Sequence, residues 1–236
     1  VNDVVAPTTV RVIERQTPRT ARYALVGAEP AAASHIWFVL HGYGQLASRF
    51  VKSFESITPE GTCIVAPEGL SRFYLAAPRA DGSHMQRVGA SWLTREARDA
   101  EIADGMHWLN LVYDDIVGAS TAGRGTAPSV GVLGFSQGVA TMMRWIAMGA
   151  IHPQHVVLWA GTVAHDADAH ALRAKLALAN VSLVAGRSDE FVTDETRAAT
   201  LHALHDLNVT PRELVFDGAH HLDEDTLKAL LHEVSR

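Results

Sequence analysis

The sequence holds a single cysteine, Cys63, so no internal disulfide can form and a reducing compartment is favoured. It has no excess of positive charge. Twenty Lys and Arg stand against 26 Asp and Glu, for a net charge of −6 and a pI near 6.1. That balance excludes the electrostatic footprint of a DNA-binding, RNA-binding or anionic-membrane protein. No apolar run approaches the ~18 residues that a bilayer span requires. No basic stretch followed by an apolar one marks the start, so no secretory signal is visible. A cytoplasmic location is the expectation, with a removed leader as the alternative because the chain begins at Val1. No internal repeat is present.

What the chain does have is an apolar fraction of 47% beside a charged fraction of 19%, which excludes wholesale disorder. Its 236 residues fit one domain, 1–236, with a large core. Short β-branched runs recur at residues 35–40, 62–66, 130–133, 156–159, 181–185 and 213–216. They do not alternate between apolar and polar, which suggests strands buried on both faces. An antiparallel pair is expected earlier, over 10–14 and 23–26. Helices are expected over 46–54, 94–117, 137–148, 166–179, 194–207 and 222–234. Two loops stand out, 118–128 and 69–88. The order predicts an α/β fold, a mostly parallel sheet with helices on both faces. Ligands of such sheets bind beyond the carboxyl ends of the strands.

The strongest motif sits at such an end. Gly134-Phe135-Ser136-Gln137-Gly138 is a G-x-S-x-G between a buried strand and a helix. The bare pattern also arises as a glycine-rich turn with an incidental serine. In the strand-to-helix context it makes a sharp turn that lifts the serine hydroxyl above the sheet, with glycines where side chains would clash. Ser136 is therefore the candidate nucleophile. The Gln137 backbone N–H, at a helix N-terminus, is a candidate oxyanion donor.

Leu40–Gln45 (LHGYGQ) follows another strand, where serine hydrolases of this architecture place a second oxyanion donor; the Tyr43 N–H is the candidate. His41 is expected to pack under that loop. Such triads run in the order Ser, acid, His. The acid is expected at Asp189, after the strand and glycine turn that end at Gly186. Asp166 and Asp168 compete, but they resemble a helix start. The base is His220 or His221, after the turn Asp217–Ala219; loop length favours His220. The paired histidines, and His202 with His205, also raise a metal site. No HExxH or Cys/His ligand set accompanies them, so no metal and no cofactor is expected. Glu68 follows a strand, and a structural turn role is favoured for it.

Together these segments resemble the phospholipase/carboxylesterase family of the α/β-hydrolase superfamily, which includes acyl-protein thioesterases. The matching pieces are LHGYGQ, APEG, GFSQG, GRSDEFV and FDGAHHLD, and the likeness runs from His35 to Val234. It implies an α/β-hydrolase fold and a triad of Ser136, Asp189 and His220. The family's acid-bearing element corresponds to Asp189–Val192. Ala219 stands where the family usually has a second glycine. The likeness also implies that Trp92 walls the pocket. Residues 69–92 are expected to cover the pocket mouth, with Phe73, Tyr74, Leu75 and Met85 making that segment apolar. Trp92, Val192 and Phe73 are the candidate substrate contacts. The implied activity is hydrolysis of short- to medium-chain carboxylic esters. A thioesterase or lysophospholipase with the same triad is the first alternative, and a ligand-binding α/β-hydrolase of low turnover the second. The expected partner is a small-molecule ester, with no nucleic acid and no membrane span, and the chain is expected as a monomer or homodimer.

Overall fold

The structure, a computed structural model, describes residues 11–76 and 87–234. Seven strands form one sheet: β1 (Tyr23–Gly27), β2 (His35–Leu40), β3 (Thr62–Pro67), then β6 (Ser129–Phe135), β7 (His155–Trp159), β8 (Asn180–Gly186) and β9 (Arg212–Phe216). Between them in sequence, β4 (Ser71–Tyr74) and β5 (Val88–Ser91) make a separate antiparallel hairpin. The large sheet has the order β1-β3-β2-β6-β7-β8-β9 and is parallel except for β1 on β3. The expected α/β architecture is thus present.

The strands read as continuous apolar runs because both faces are covered. One face of the sheet presents Ile36, Phe38, Val132, Val156 and Leu183 to helices α2 (Arg98–Arg124), α3 (Gln137–Met148), α4 (Ala169–Leu176) and α5 (Asp194–Asp206). The other presents Trp37, Val39, Leu133, Val157 and Val184 to α1 (Ala47–Phe50), the short 3-10 turn that continues it, and α6 (Glu224–Val234). Successive side chains along a strand point to opposite faces, so each run feeds two cores at once. Among the described residues no helix is long and apolar enough to cross a membrane.

Three expectations need correction. Residues 11–14 form no strand; Val12 and Ile13 stand 85% and 66% exposed, and Val10 lies outside the described residues. β1 instead pairs with β3, Tyr23 opposite Pro67 and Gly27 opposite Cys63. The β-branched run lacked a partner edge, and the edge beside β3 was taken by the run that follows it. The loop expected over 118–128 is helix as far as Arg124. Its small residues permit close packing there. A Cβ on Gly123 would lie 2.2 Å from the Ala31 carbonyl oxygen, and the Ser120 hydroxyl donates to the Ala33 carbonyl at 2.8 Å. Finally, α4 starts at Ala169, because Asp168 caps it by accepting from the His170 and Ala171 N–H groups.

This packing predicts opposite effects for two glycines of one helix. Gly118 is exposed and a Cβ there meets nothing within 4 Å, so Gly118→Ala should raise stability by ~0.5–1 kcal/mol. Gly123→Ala should lower it by ~1–3 kcal/mol, since the new methyl group meets backbone. Urea midpoints of the two variants measure both, and a stabilising Gly123→Ala would remove the packing explanation.

Candidate active site

Ser136 stands in the turn between β6 and α3 with φ 54° and ψ −118°, a conformation L-residues rarely adopt. Backbone crowding fixes it. A Cβ on Gly134 would lie 2.6 Å from the Gly138 carbonyl oxygen, and one on Gly138 would lie 2.3 Å from that of Leu40. The Ser136 N–H donates to Trp159 O at 2.9 Å, and Ser136 O accepts from the Val139 N–H at 3.0 Å. The half-buried serine is held by neighbours on β7 and α3 at the carboxyl edge of the sheet.

Asp189 follows β8, and its side chain is fully buried. Its Oδ1 accepts from the Phe191 and Val192 N–H groups at 2.8 and 3.0 Å. Its Oδ2 lies 2.8 Å from His220 Nδ1. That bond places the Nδ1 proton between them and leaves Nε2 with its lone pair. The His220 ring lies between those of Phe135 and Phe191, centroids 4.9 and 4.8 Å away. Phe135 is the residue before Ser136, so the imidazole is brought beside the nucleophile turn. Among the described residues no hydrogen bond is made to the Ser136 hydroxyl. Hydrogen bonds of this kind are often long in unliganded enzymes and tighten when substrate is bound.

His221 has other contacts. Its ring packs edge-on against Phe216 at 5.3 Å, and its carbonyl accepts from Trp159 Nε1 at 2.9 Å. The acid and histidine loops are joined directly, Ser188 N–H to Gly218 O at 2.9 Å. Ala219 has no positive φ, so alanine fits where the family usually has glycine. The competing acids lie elsewhere. Asp166 pairs with Arg144 and Arg98, and those bonds hold its carboxyl far below the usual range, with burial opposing. Asp168 caps α4. His202 is paired only with Asp206, at 3.6 Å on an exposed helix face.

The loop after β2 is built from pinned peptide planes. The His41 ring is buried; its Nε2 accepts from the Gly69 N–H at 3.0 Å, so its Nδ1 carries the proton and donates to Gly42 O at 2.8 Å. Burial holds this imidazole below the usual histidine range, outweighing the opposite pulls of the Gly42 carbonyl and Glu68. The Gly42 carbonyl and the Tyr43 N–H belong to one planar peptide and point in opposite directions. Fixing the first aims the second. Trp92 Nε1 donates to His41 O at 2.7 Å, and the Trp92 ring stacks on His41 at 4.8 Å. Trp92 is only 5% exposed. It lies beneath the loop as a brace, whereas the sequence pointed to a pocket wall. Phe73 meets the exposed Tyr43 ring at 5.1 Å, and Val192 is half-buried against the core on the α6 side of the sheet. Tyr74 is exposed, Leu75 contacts the Gly44 position, and Met85 lies outside the described residues.

Two devices escaped the sequence reading. Gln137 was noted for its backbone, yet its side-chain amide donates to Ser91 Oγ and Leu93 O at 3.0 and 3.1 Å and accepts from the Trp92 N–H at 3.2 Å. It staples the start of α3 to β5. Glu68, fully buried, accepts from Arg22 at 2.8 Å, from Arg72 at 2.7 Å and from the Ala47 N–H at 3.2 Å. It joins β1, the hairpin and α1 around the Tyr43 loop, which bears out the structural role favoured for it. The hint in sequence was a carboxylate in an otherwise apolar segment, since a buried charge needs partners.

A cavity of about 320 Å³ opens beside His220 and Phe135, bounded by Gly44–Leu46 and Val88. A second, of about 390 Å³, lies by Trp37, His155 and Arg212 at the opposite edge of the sheet, away from Ser136. Among the described residues no cluster of three or more His, Cys, Asp or Glu side chains is placed to hold a metal ion.

The serine hydrolase (FSH1) family matches residues 37–226 of this chain. Among solved structures the chain is similar to esterase PE8, with 22% identity over 92% of this chain and all of that one, TM-score 0.61. It is also similar to acyl-protein thioesterase 2 of Zea mays, with 14% identity over 92% of this chain and 98% of that one, TM-score 0.62. A phospholipase/carboxylesterase of Dyadobacter fermentans gives 15% identity over 94% and 99% of the two chains, TM-score 0.61. At these identities the likeness is one of fold, the α/β-hydrolase fold that the sequence motifs implied. No curated protein sequence matches the chain.

The Glu68 network predicts a pH-dependent stability. Its partners hold the Glu68 carboxyl below the ordinary 4.5: burial pushes it up, and the Arg22 and Arg72 bonds outweigh burial. A depressed folded value means the stabilisation is complete above the unfolded value and fades as pH falls through the folded one. Glu68→Gln should therefore cost ~2–3 kcal/mol at neutral pH, the half-exposed Arg22 recovering some hydration. The gap to wild type should hold down to about pH 5 and narrow on further acidification. Urea melts across this range check it; a gap that widens in acid would reverse the assigned sign.

Proposed function

Since the chain belongs to the serine hydrolase (FSH1) family, we propose that it hydrolyses short carboxylic esters through Ser136, His220 and Asp189. The observation that carries this reading is the 2.8 Å bond from His220 Nδ1 to Asp189 Oδ2, beside a serine in a strained strand-to-helix turn. Asp189, already holding two backbone N–H groups, keeps the His220 ring in the tautomer whose Nε2 is basic. As Ser136 Oγ attacks the ester carbonyl, Nε2 takes the hydroxyl proton. The carbonyl oxygen becomes an oxyanion that accepts from the Tyr43 and Gln137 N–H groups. Support for this pair is that the two donors follow β2 and β6, which are adjacent and parallel. The imidazolium then protonates the leaving alcohol, giving an acyl-enzyme. Water attacks that ester with Nε2 as base, and Ser136 leaves with the proton returned.

The cavity beside His220, about 320 Å³, is near the small end of ligand pockets, ~300–1,000 Å³, and supports a short substrate. The hairpin β4–β5 supports the role given to residues 69–92. It is tied to the Tyr43 loop by Gly44 N–H to Ala90 O at 2.8 Å and Ala90 N–H to Gln45 O at 3.1 Å. Thioester cleavage would use the same groups, since the oxyanion and the acyl-enzyme are common to both.

Ser136→Ala should lower turnover of a short ester by ~10⁴–10⁶ with an unchanged urea midpoint. His220→Ala should come close to that loss, while His221→Ala keeps at least about a tenth of the activity, because a ring that only packs leaves the proton route intact. Steady-state kinetics of the three variants on one substrate decide the assignment. Full activity in Ser136→Ala ends the reading, and an inactive His221→Ala beside an active His220→Ala moves the base by one residue.

A further inference from the structure

The cavity beside His220 is lined by positive charge in a chain that is acidic overall. Its wall includes Arg49 and Arg87, both exposed, together with His220, His221, Gln45 and Phe135. Among the described residues that line it there is no Asp or Glu. Neither arginine makes an ion pair among the described residues. The exposed Arg95, Arg124 and Arg173 likewise make no ion pair among the described residues, and what sets Arg49 and Arg87 apart is that they share one cavity wall. The whole chain is acidic, at −6. Two guanidinium groups on one cavity wall, with no carboxylate partner among the described residues, favour a negative group inside that cavity. Phe50 and Phe135 line the same cavity and offer apolar surface to the chain that carries such a group. Guanidinium groups suit a carboxylate, because their fork of donors matches its two oxygens.

We propose that Arg49 and Arg87 hold a carboxylate at the end of the substrate remote from the scissile bond, so that the preferred substrates are short esters carrying a free carboxylate. This rests on the ester-hydrolase reading and names its substrate class. The cavity adjoins the base. An arm anchored there holds the ester carbonyl near Ser136, and the charge pairing acts in both ground and transition states, so its effect appears mainly in KM.

The test compares charged and neutral esters of similar shape near neutral pH, by titrating released acid. Monomethyl glutarate against methyl hexanoate places the carboxylate on the acyl side. The butyryl ester of β-hydroxypropionate against isoamyl butyrate places it on the alcohol side. In one of the two pairs the charged ester should be favoured in kcat/KM by about tenfold or more, chiefly through KM. Added salt should reduce that ratio. In the double variant Arg49→Gln/Arg87→Gln the ratio should fall to within about threefold of one, and Arg49→Glu should turn it against the charged ester. Equal or lower kcat/KM for the charged ester in both pairs overturns the proposal. So does a preference that survives the double variant. Neutral esters cleaved by the wild type and not by Ser136→Ala keep the hydrolase reading standing in either case. Cleavage of no ester at all overturns both.

Discussion

The structure depends on one backbone constraint, the abrupt reversal at Ser136 between β6 and α3. An L-residue at φ 54° is tolerated only where its surroundings leave no alternative. Here the alternatives are closed by close approach. Gly134 and Gly138 bring β6, α3 and the end of β2 within a distance that no Cβ would permit. Gly161 does the same after β7, where a Cβ would stand 2.5 Å from Ser136 O. The two sheet-covering cores supply the stability that sustains this strain. Trp145, Met142 and Val139 of α3 are completely buried on one side, and Leu133 and Trp159 on the other. The nucleophile turn is therefore the place where the central strand, its neighbours and the central helix must all agree.

Two buried carboxylates organise the ground on either side of that turn. Asp189 accepts from two backbone N–H groups through one oxygen and from one imidazole through the other, which fixes both the loop after β8 and the ring after β9. Glu68 does the corresponding work for the Tyr43 loop, with two arginines and the α1 amide. Buried charges are costly unless every lone pair is used, and here each oxygen has a partner. His41 adds a neutral brace. Burial keeps it uncharged, and its two nitrogens join Gly42 O to the Gly69 N–H. Peptide planes pinned in this way keep their N–H directions fixed.

The sheet edge thus gathers unlike pieces into one working surface. The hairpin lies on the Tyr43 loop, the Tyr43 loop on Trp92, and Trp92 on the Gln137 amide that begins α3. A shift in any one of them moves the Tyr43 loop or the start of α3. The same edge opens the cavity whose wall combines Phe135 and His220 with Arg49 and Arg87.

The sequence by itself determined the parallel sheet, since apolar runs without alternation need cover on both faces. It determined the serine turn, because glycines two residues either side of Ser136 have a steric reason that any strand-to-helix junction shares. It pointed to Asp189 and His220, which the fold brings together at 2.8 Å. Tertiary structure alone decided what depends on distant neighbours. It paired Tyr23–Gly27 with β3 and left residues 11–14 unpaired, a choice set by which edge is free. It made helix of 118–124, because small residues pack on Ala31 and Ala33, and composition alone cannot separate small-for-contact from small-for-flexibility. It put Trp92 under a loop, and it joined His220 to Asp189 across 31 positions of sequence. Those outcomes rest on hydrogen-bond partners and close contacts between segments far apart in the chain, and such partners exist only once the chain has folded.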